Sequence, residues 1–205
     1  LANAVDTTSM INIMSEMQVN QTIMKNNNTS FTIWLTGISG AGKTTLANAL
    51  QTQFKENKII SLCVDGDNLR NGLCQDLGYT DLDRKENMRR ASCVAKMINN
   101  QGQIAIVSLI SPFKAEREKA KNYIGENKFL EVFVDCSYEE CLKRDVKGLY
   151  KKVEAGFINQ FTGKDSIYEA PEKPDVHIRT GEVTIETGLQ LIVSEIEARY
   201  QLLLS

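Results

Sequence analysis

The chain has 205 residues, 42% of them hydrophobic, with 24 lysines and arginines against 26 aspartates and glutamates for a net charge of −2. That length suits one domain burying about 70% of its extended surface, and the near-neutral balance without a basic tract excludes nucleic acid as the expected partner. No run of about 18 apolar residues is present to span a membrane.

Residues 1–30 stand apart, rich in Asn, Thr, Met and Ser, with one lysine, no arginine and the run Asn26-Asn27-Asn28. Lacking arginine and a secretory apolar core, they fit a tail or arm better than a targeting signal. Residues 18–24 have the makings of a short helix. Residues 31–35 form an apolar strand, followed by Gly37-Ile38-Ser39-Gly40-Ala41-Gly42-Lys43-Thr44 and a helix over 45–55. This is a complete GxxxxGK[ST] loop in the strand–loop–helix setting it requires. Its glycines let the backbone curl so that successive N–H groups meet one phosphate, aided by the positive end of the following helix. Lys43 reaches the β- and γ-phosphates and the Thr44 hydroxyl ligates Mg²⁺. A nucleoside triphosphate site is therefore expected at Gly37, Ser39, Gly40, Ala41, Gly42, Lys43, Thr44 and the adjoining Thr45.

Residues 58–64 read as a buried strand ending at Asp65-Gly66-Asp67, 83–100 as a helix and 103–109 as a third strand. A charged helix over 114–122, a strand over 129–134 and a helix over 138–144 follow. Residues 145–170 show neither period, and so long an irregular stretch inside a compact domain reads as a lid. Residues 176–178 make a short last strand and 183–204 an amphipathic helix. Apolar strands alternating with helices imply an α/β three-layer fold, a mainly parallel sheet covered on both faces. One domain over 31–205 is expected, with ligands beyond the carboxyl ends of the strands.

Those strand ends carry the remaining chemistry. An acidic pair, Asp65 and Asp67, facing a triphosphate can orient Mg²⁺ through water or accept a proton from an attacking hydroxyl; Asp67-Asn68 capping the next helix is the alternative. Arg84 and Asn87, three apart on a helix, share a face. With Arg70 they make either a clamp for an anionic acceptor or a solvated, salt-bridged surface. Lys147, Lys151, Lys152 and Lys164 beside Tyr150, Phe157 and Phe161 fit closure over phosphates and a purine ring. Arg144 either stacks on the ATP base or complements a helix dipole. His177, the only histidine, reads as packing. The five cysteines hold no Cys-x-x-Cys pair and fit reduced thiols without a metal, Cys63 and Cys93 lying in the core.

The blocks Trp34-Leu35-Thr36-Gly37-Ile38-Ser39-Gly40, Asp65-Gly66-Asp67-Asn68-Leu69-Arg70, Asp83-Arg84-Lys85-Glu86-Asn87, Ile110-Ser111-Pro112-Phe113, Lys147-Gly148-Leu149-Tyr150-Lys151-Lys152 and Phe161-Thr162-Gly163, in this order, closely resemble the adenylylsulfate kinase (APS kinase) family. The resemblance covers nearly the whole chain beyond the tail. It implies the P-loop kinase fold and transfer of the ATP γ-phosphate to the 3′-hydroxyl of adenosine 5′-phosphosulfate, giving 3′-phosphoadenosine 5′-phosphosulfate and ADP, with Mg²⁺. A homodimer, a cytoplasmic setting (or an organelle housing sulfate activation) and dependence on a separate ATP sulfurylase are implied too. By the same resemblance, Asp65 acts on the acceptor hydroxyl or the Mg²⁺ shell, and Arg70, Arg84 and Asn87 hold the phosphosulfate with Asp67. Tyr79 and Phe161 sandwich its adenine, Lys147 meets the transferred phosphate, and Ile110 and Ser111 contact the acceptor. Ser111 also matches a serine phosphorylated in some members. Three positions depart from the pattern: Tyr79 for Phe, Gln160 for Gly, and Lys114 for Arg, where a bidentate contact is lost. Another kinase on the same fold, or a nucleotide-binding regulator without transfer chemistry, are the other classes weighed.

Overall fold

The computed structural model describes residues 30–145, 148, 150, 151, 162 and 166–204. Five parallel strands form one sheet: β1 Thr32–Thr36, β2 Ser61–Asp65, β3 Ile104–Ser108, β4 Phe129–Asp135 and β5 Val176–Arg179, in the order β2-β3-β1-β4-β5. The helices are α1 Lys43–Glu56, α2 Gly66–Arg70, α3 Asp81–Asn100, α4 Lys114–Ile124, α5 Tyr138–Arg144 and α6 Ile185–Tyr200, with a short 3₁₀ turn at Glu126–Lys128. Side chains alternate along β1, so Ile33 and Leu35 enter one core and Trp34 the other. The first core takes Leu46, Leu50 and Phe54 from α1 and Ile192, Val193 and Ile196 from α6. The second takes Met88, Ala91 and Ala95 from α3 and Ala120 and Ile124 from α4. This is the expected three-layer α/β arrangement.

The three central strands are buried almost throughout, which is why they read as continuous apolar runs. β2 departs from the expected buried strand over 58–64. It starts only at Ser61, and Ile60 and Leu62 are 62% and 45% exposed, because β2 is an edge strand of the described sheet. Cys63 and Cys93 are likewise half-buried rather than core; Cys74, Cys136 and Cys141 are the buried thiols, and all five are free. α3 begins two residues earlier than expected because Thr80 and Asp83 form a reciprocal capping box. The last helix is shorter than 183–204: Gln201 turns left-handed at φ 54°, yet Leu202 and Leu204 beyond it stay buried. His177 packs on Phe133 with ring centres 4.9 Å apart, and its Nε2 lies 2.8 Å from Asp135 Oδ2.

Candidate active site at the carboxyl ends of the strands

β1 ends at Thr36, and the chain must then leave the sheet close against β4. A Cβ at Gly37 would lie 2.3 Å from the Val134 carbonyl oxygen, at a φ of 152°, so only glycine fits. Gly42 starts α1 and has no side chain to cap it, and the first turn of this 14-residue helix carries no acid. The helix terminus therefore favours an anion in the loop. Lys43 is 8% exposed and donates from Nζ to the Gly37 and Ile38 carbonyls at 2.8 Å each, which draws its ammonium across the loop.

One residue into α1, Thr44 Oγ1 donates to Asp65 Oδ2 at 3.1 Å and lies 3.4 Å from Ser108 Oγ. Asp65 Oδ1 accepts the Asp67 N–H at 2.9 Å, so Asp65 rather than Asp67-Asn68 caps the following helix, α2. The Asp67 side chain is exposed. At Gly66 an added Cβ would come within 2.9 Å of Leu109 Cδ2, so the β2 end is held tightly against β3. Hydroxyl and carboxylate oxygens gathered beside a phosphate loop suit Mg²⁺, which prefers few protein oxygens with water and phosphate completing its shell. Among the described residues no group of three or more His, Cys, Asp or Glu is placed to hold a metal.

α2 and α3 meet at a basic face. Arg70 donates to the Leu77 and Gly78 carbonyls at 3.2 and 2.6 Å, and its guanidinium carbon sits 4.3 Å over the Tyr79 ring. Arg84 Nε donates to the Tyr79 carbonyl at 3.1 Å. Burial, then the Arg70 charge, lowers the Arg84 guanidinium from its ordinary value. Asn87 is 5% exposed, and its Nδ2 has no hydrogen-bond partner among the described residues. A buried amide left without an acceptor is costly unless a ligand supplies one. The Tyr79 ring is 61% exposed.

β3 delivers Ile110 and Ser111 to the same end. Ile110's carbonyl accepts the Gly37 N–H at 3.3 Å and the Thr36 hydroxyl at 2.8 Å, tying this segment to the loop. Ser111 is 2% exposed at φ 47°, and its Oγ accepts Trp34 Nε1 at 2.9 Å. In this conformation the hydroxyl faces the core and offers no surface to an incoming phosphate. Arg117 fixes the turn from three sides, donating to the Ser111 and Glu169 carbonyls at 2.7 and 2.8 Å and to Glu131 Oε1 at 2.8 Å. Burial outweighs this ion pair and raises the Glu131 carboxyl. Lys114 pairs with Glu172 at 2.6 Å.

Comparison with known proteins places this geometry in a lineage. A sequence model described as "Adenylylsulphate kinase" matches residues 29–179. The chain belongs to the adenylylsulfate kinase family. It is 53% identical over 146 residues to the adenylyl-sulfate kinase of Aeromonas hydrophila, covering 71% of this chain and 74% of that one. Against the adenylyl-sulfate kinase of Prochlorococcus marinus the identity is 46%, covering 82% and 83%. The solved structure of the Mycobacterium tuberculosis APS kinase CysC in complex with AMPPNP and APS superposes with a TM-score of 0.79 at 39% identity, covering 82% of this chain and 98% of that one.

Of the positions that the adenylylsulfate kinase resemblance singles out, the loop, Asp65, Asp67, Arg70, Tyr79, Arg84, Asn87, Ile110 and Ser111 all lie at the carboxyl end of the sheet or on α2 and α3 beside it. Lys147, Phe161, Gln160, Lys152, Phe157 and Lys164 lie outside the described residues, as do residues 1–29. Arg144, at the end of α5, donates to the Thr180 carbonyl at 2.7 Å. Tyr150 does not join the rings over a purine; it is 1% exposed beneath the phosphate loop. Sequence reasoning missed Ser108, which β-sheet register sets beside Asp65. It also missed Thr180, although the strand-end rule applied to β5 points straight to it.

Proposed function

We propose that this kinase transfers the γ-phosphate of ATP to the 3′-hydroxyl of adenosine 5′-phosphosulfate, releasing ADP and 3′-phosphoadenosine 5′-phosphosulfate. One observation carries the reading: Thr44 of the phosphate loop meets Asp65 at 3.1 Å, while Asp65 opens the short helix that ends in Arg70. Donor loop and acceptor face thus share a single crevice. The relative that holds AMPPNP and APS together supports the same pairing of ligands.

Phosphoryl transfer demands positioning and charge neutralisation more than covalent help from the protein. Gly37, Ser39, Gly40, Ala41, Gly42 and Thr45 cradle the donor phosphates, and Lys43 neutralises them. Arg144 borders the nucleotide on the α5 side. Arg70, Arg84 and Asn87 hold the phosphosulfate, aided by Asp67, Ile110 and Ser111, with Tyr79 and Phe161 on its adenine and Lys147 at the transferred group. Thr44 and Asp65 would hold Mg²⁺, which supplies charge neutralisation at the phosphates. Asp65 also faces the acceptor hydroxyl and takes its proton. Transfer is direct, without a Ser111 phosphate. We assign the chain to homodimers in the cytoplasm, fed by a separate sulfurylase; no helix among the described residues is long and apolar enough to cross a membrane.

The test is ADP release from ATP and Mg²⁺, measured with and without adenylylsulfate. Release should require adenylylsulfate, and release indifferent to it would end this reading.

A further inference from the structure

Two side chains outside the phosphate loop grip it from behind. Tyr150 donates its hydroxyl proton to the Ser39 carbonyl at 2.6 Å. Thr180, the residue after β5, donates from Oγ1 to the Ala41 carbonyl at 2.8 Å. The loop peptides are trans, no cis peptide occurring among the described residues, so each C=O points opposite to the N–H that follows it in the same plane. Holding Ser39 O outward turns the Gly40 N–H into the loop, and holding Ala41 O does the same for Gly42. The peptides concerned belong to glycines at φ 80° and 103°, residues with the least conformational restraint of their own.

Both anchors are fixed in turn. The Tyr150 N–H donates to Asp145 Oδ1 at 2.9 Å, and its ring meets Tyr138 edge-on at 5.2 Å. A Cβ at Gly40 would lie 3.5 Å from Tyr150 Cε2, so ring and loop are already in contact. The Thr180 N–H donates to the Asp135 carbonyl at 2.9 Å. Arg144 donates to the Thr180 carbonyl at 2.7 Å and to its Oγ1 at 3.4 Å, and of the two carbonyls within reach of the hydroxyl, that of Ala41 at 2.8 Å is nearer than that of Asp135 at 3.3 Å.

We infer that Tyr150 and Thr180 are positioning residues of the donor site, presetting the Gly40 and Gly42 amides for phosphate before nucleotide arrives. This rests on the reading of the loop as the ATP site. Neither residue touches the reacting atoms; each acts through one loop peptide. An amide aimed in advance saves the ligand the work of turning it, so the effect belongs to phosphate binding and not to the acceptor.

The experiment uses the full chain with Tyr150→Phe, Thr180→Val and Thr180→Ser, titrated with ADP by calorimetry and assayed with both substrates. Phe and Val keep the volume; Tyr150→Phe removes the hydroxyl that donates to Ser39, and Thr180→Val removes the one that donates to Ala41 and also meets Asp135 and Arg144. Each should weaken ADP and raise the KM for ATP about five- to tenfold, the KM for adenylylsulfate moving less than about twofold. Thr180→Ser, which keeps the donor, should restore ADP affinity. ADP affinity within about twofold of the unaltered chain in both Phe and Val variants would overturn the inference. So would an equal loss for ADP and adenylylsulfate together, the mark of a packing role. If the unaltered chain binds ADP but adenylylsulfate does not stimulate its release, the acceptor assignment fails while the ADP comparison still decides this one.

Discussion

Asp65 divides one carboxylate between two tasks, since Oδ1 caps α2 through the Asp67 N–H and Oδ2 accepts from Thr44. Asparagine caps a helix about as well as aspartate, whereas alanine does not. Asp65→Asn therefore removes the charge and keeps the helix start, and Asp65→Ala removes both. We expect the Asn variant to bind ADP and melt as the unaltered chain does while kcat falls about 100-fold or more. The Ala variant should show the same kinetic loss plus about 1 kcal/mol of stability. Calorimetry, melting and steady-state kinetics on the pair separate the tasks, and an Asn variant within about tenfold of full turnover would take the charge out of the reaction. Residue types at the strand ends made Asp65 legible in the sequence. They did not show that one side chain serves cap and site, because a capping bond depends on a backbone N–H two residues away.

α3 carries the same division along a whole element. Arg84 and Asn87 are buried toward the crevice, whereas Glu86 binds Arg89 at 2.7 Å and Arg90 at 2.9 Å, and Arg90 reaches Asp76 at 2.6 Å. The clamp and the salt-bridged surface posed as alternatives thus occupy two faces of one helix, because residues one or two apart diverge around it. The period-3.6 pattern showed the helix, but assigning its polar faces needed the neighbouring α2. Arg89, then Arg90, holds the Glu86 carboxyl down to about 2 from an ordinary 4.5. The unfolded chain takes up this proton first as pH falls, so the contribution is fully present above about pH 4.5 and is lost toward about pH 2. Glu86→Gln should flatten that part of the melting-temperature profile, by a small amount given the exposure and less still in high salt. The KM for adenylylsulfate should stay put. A raised KM with an unchanged acid profile would place Glu86 in the acceptor site instead.

At the scale of the molecule, the strand order turns at β1, with β3 and β2 on one side and β4 and β5 on the other. A crevice opens where such a sheet changes direction. The donor loop follows β1 and is gripped from the β4–β5 side through Tyr150 and Thr180. The basic face stands on α2, which follows β2, and on α3. This much of the plan was legible, since alternating apolar strands and helices determine a parallel sheet, and the loop marks its first strand. The edge character of β2 was hidden, because pairing order is set by contacts far apart in sequence. If the donor and acceptor occupy opposite sides of the turn, their contributions to stability must be separable. A ligand at about 100 times its Kd adds roughly 2.7 kcal/mol, or about 5–10 °C in melting temperature for a domain of this size. ADP and adenylylsulfate, added singly, should each raise the melting temperature of the unaltered chain. Lys43→Met removes the ammonium that crosses the loop, so it should lose most of the ADP shift and keep the adenylylsulfate shift. Asn87→Ala, which deletes the buried amide, should do the reverse. Loss of both shifts in either variant would mean one shared pocket, and the division of the crevice into donor and acceptor halves would not stand.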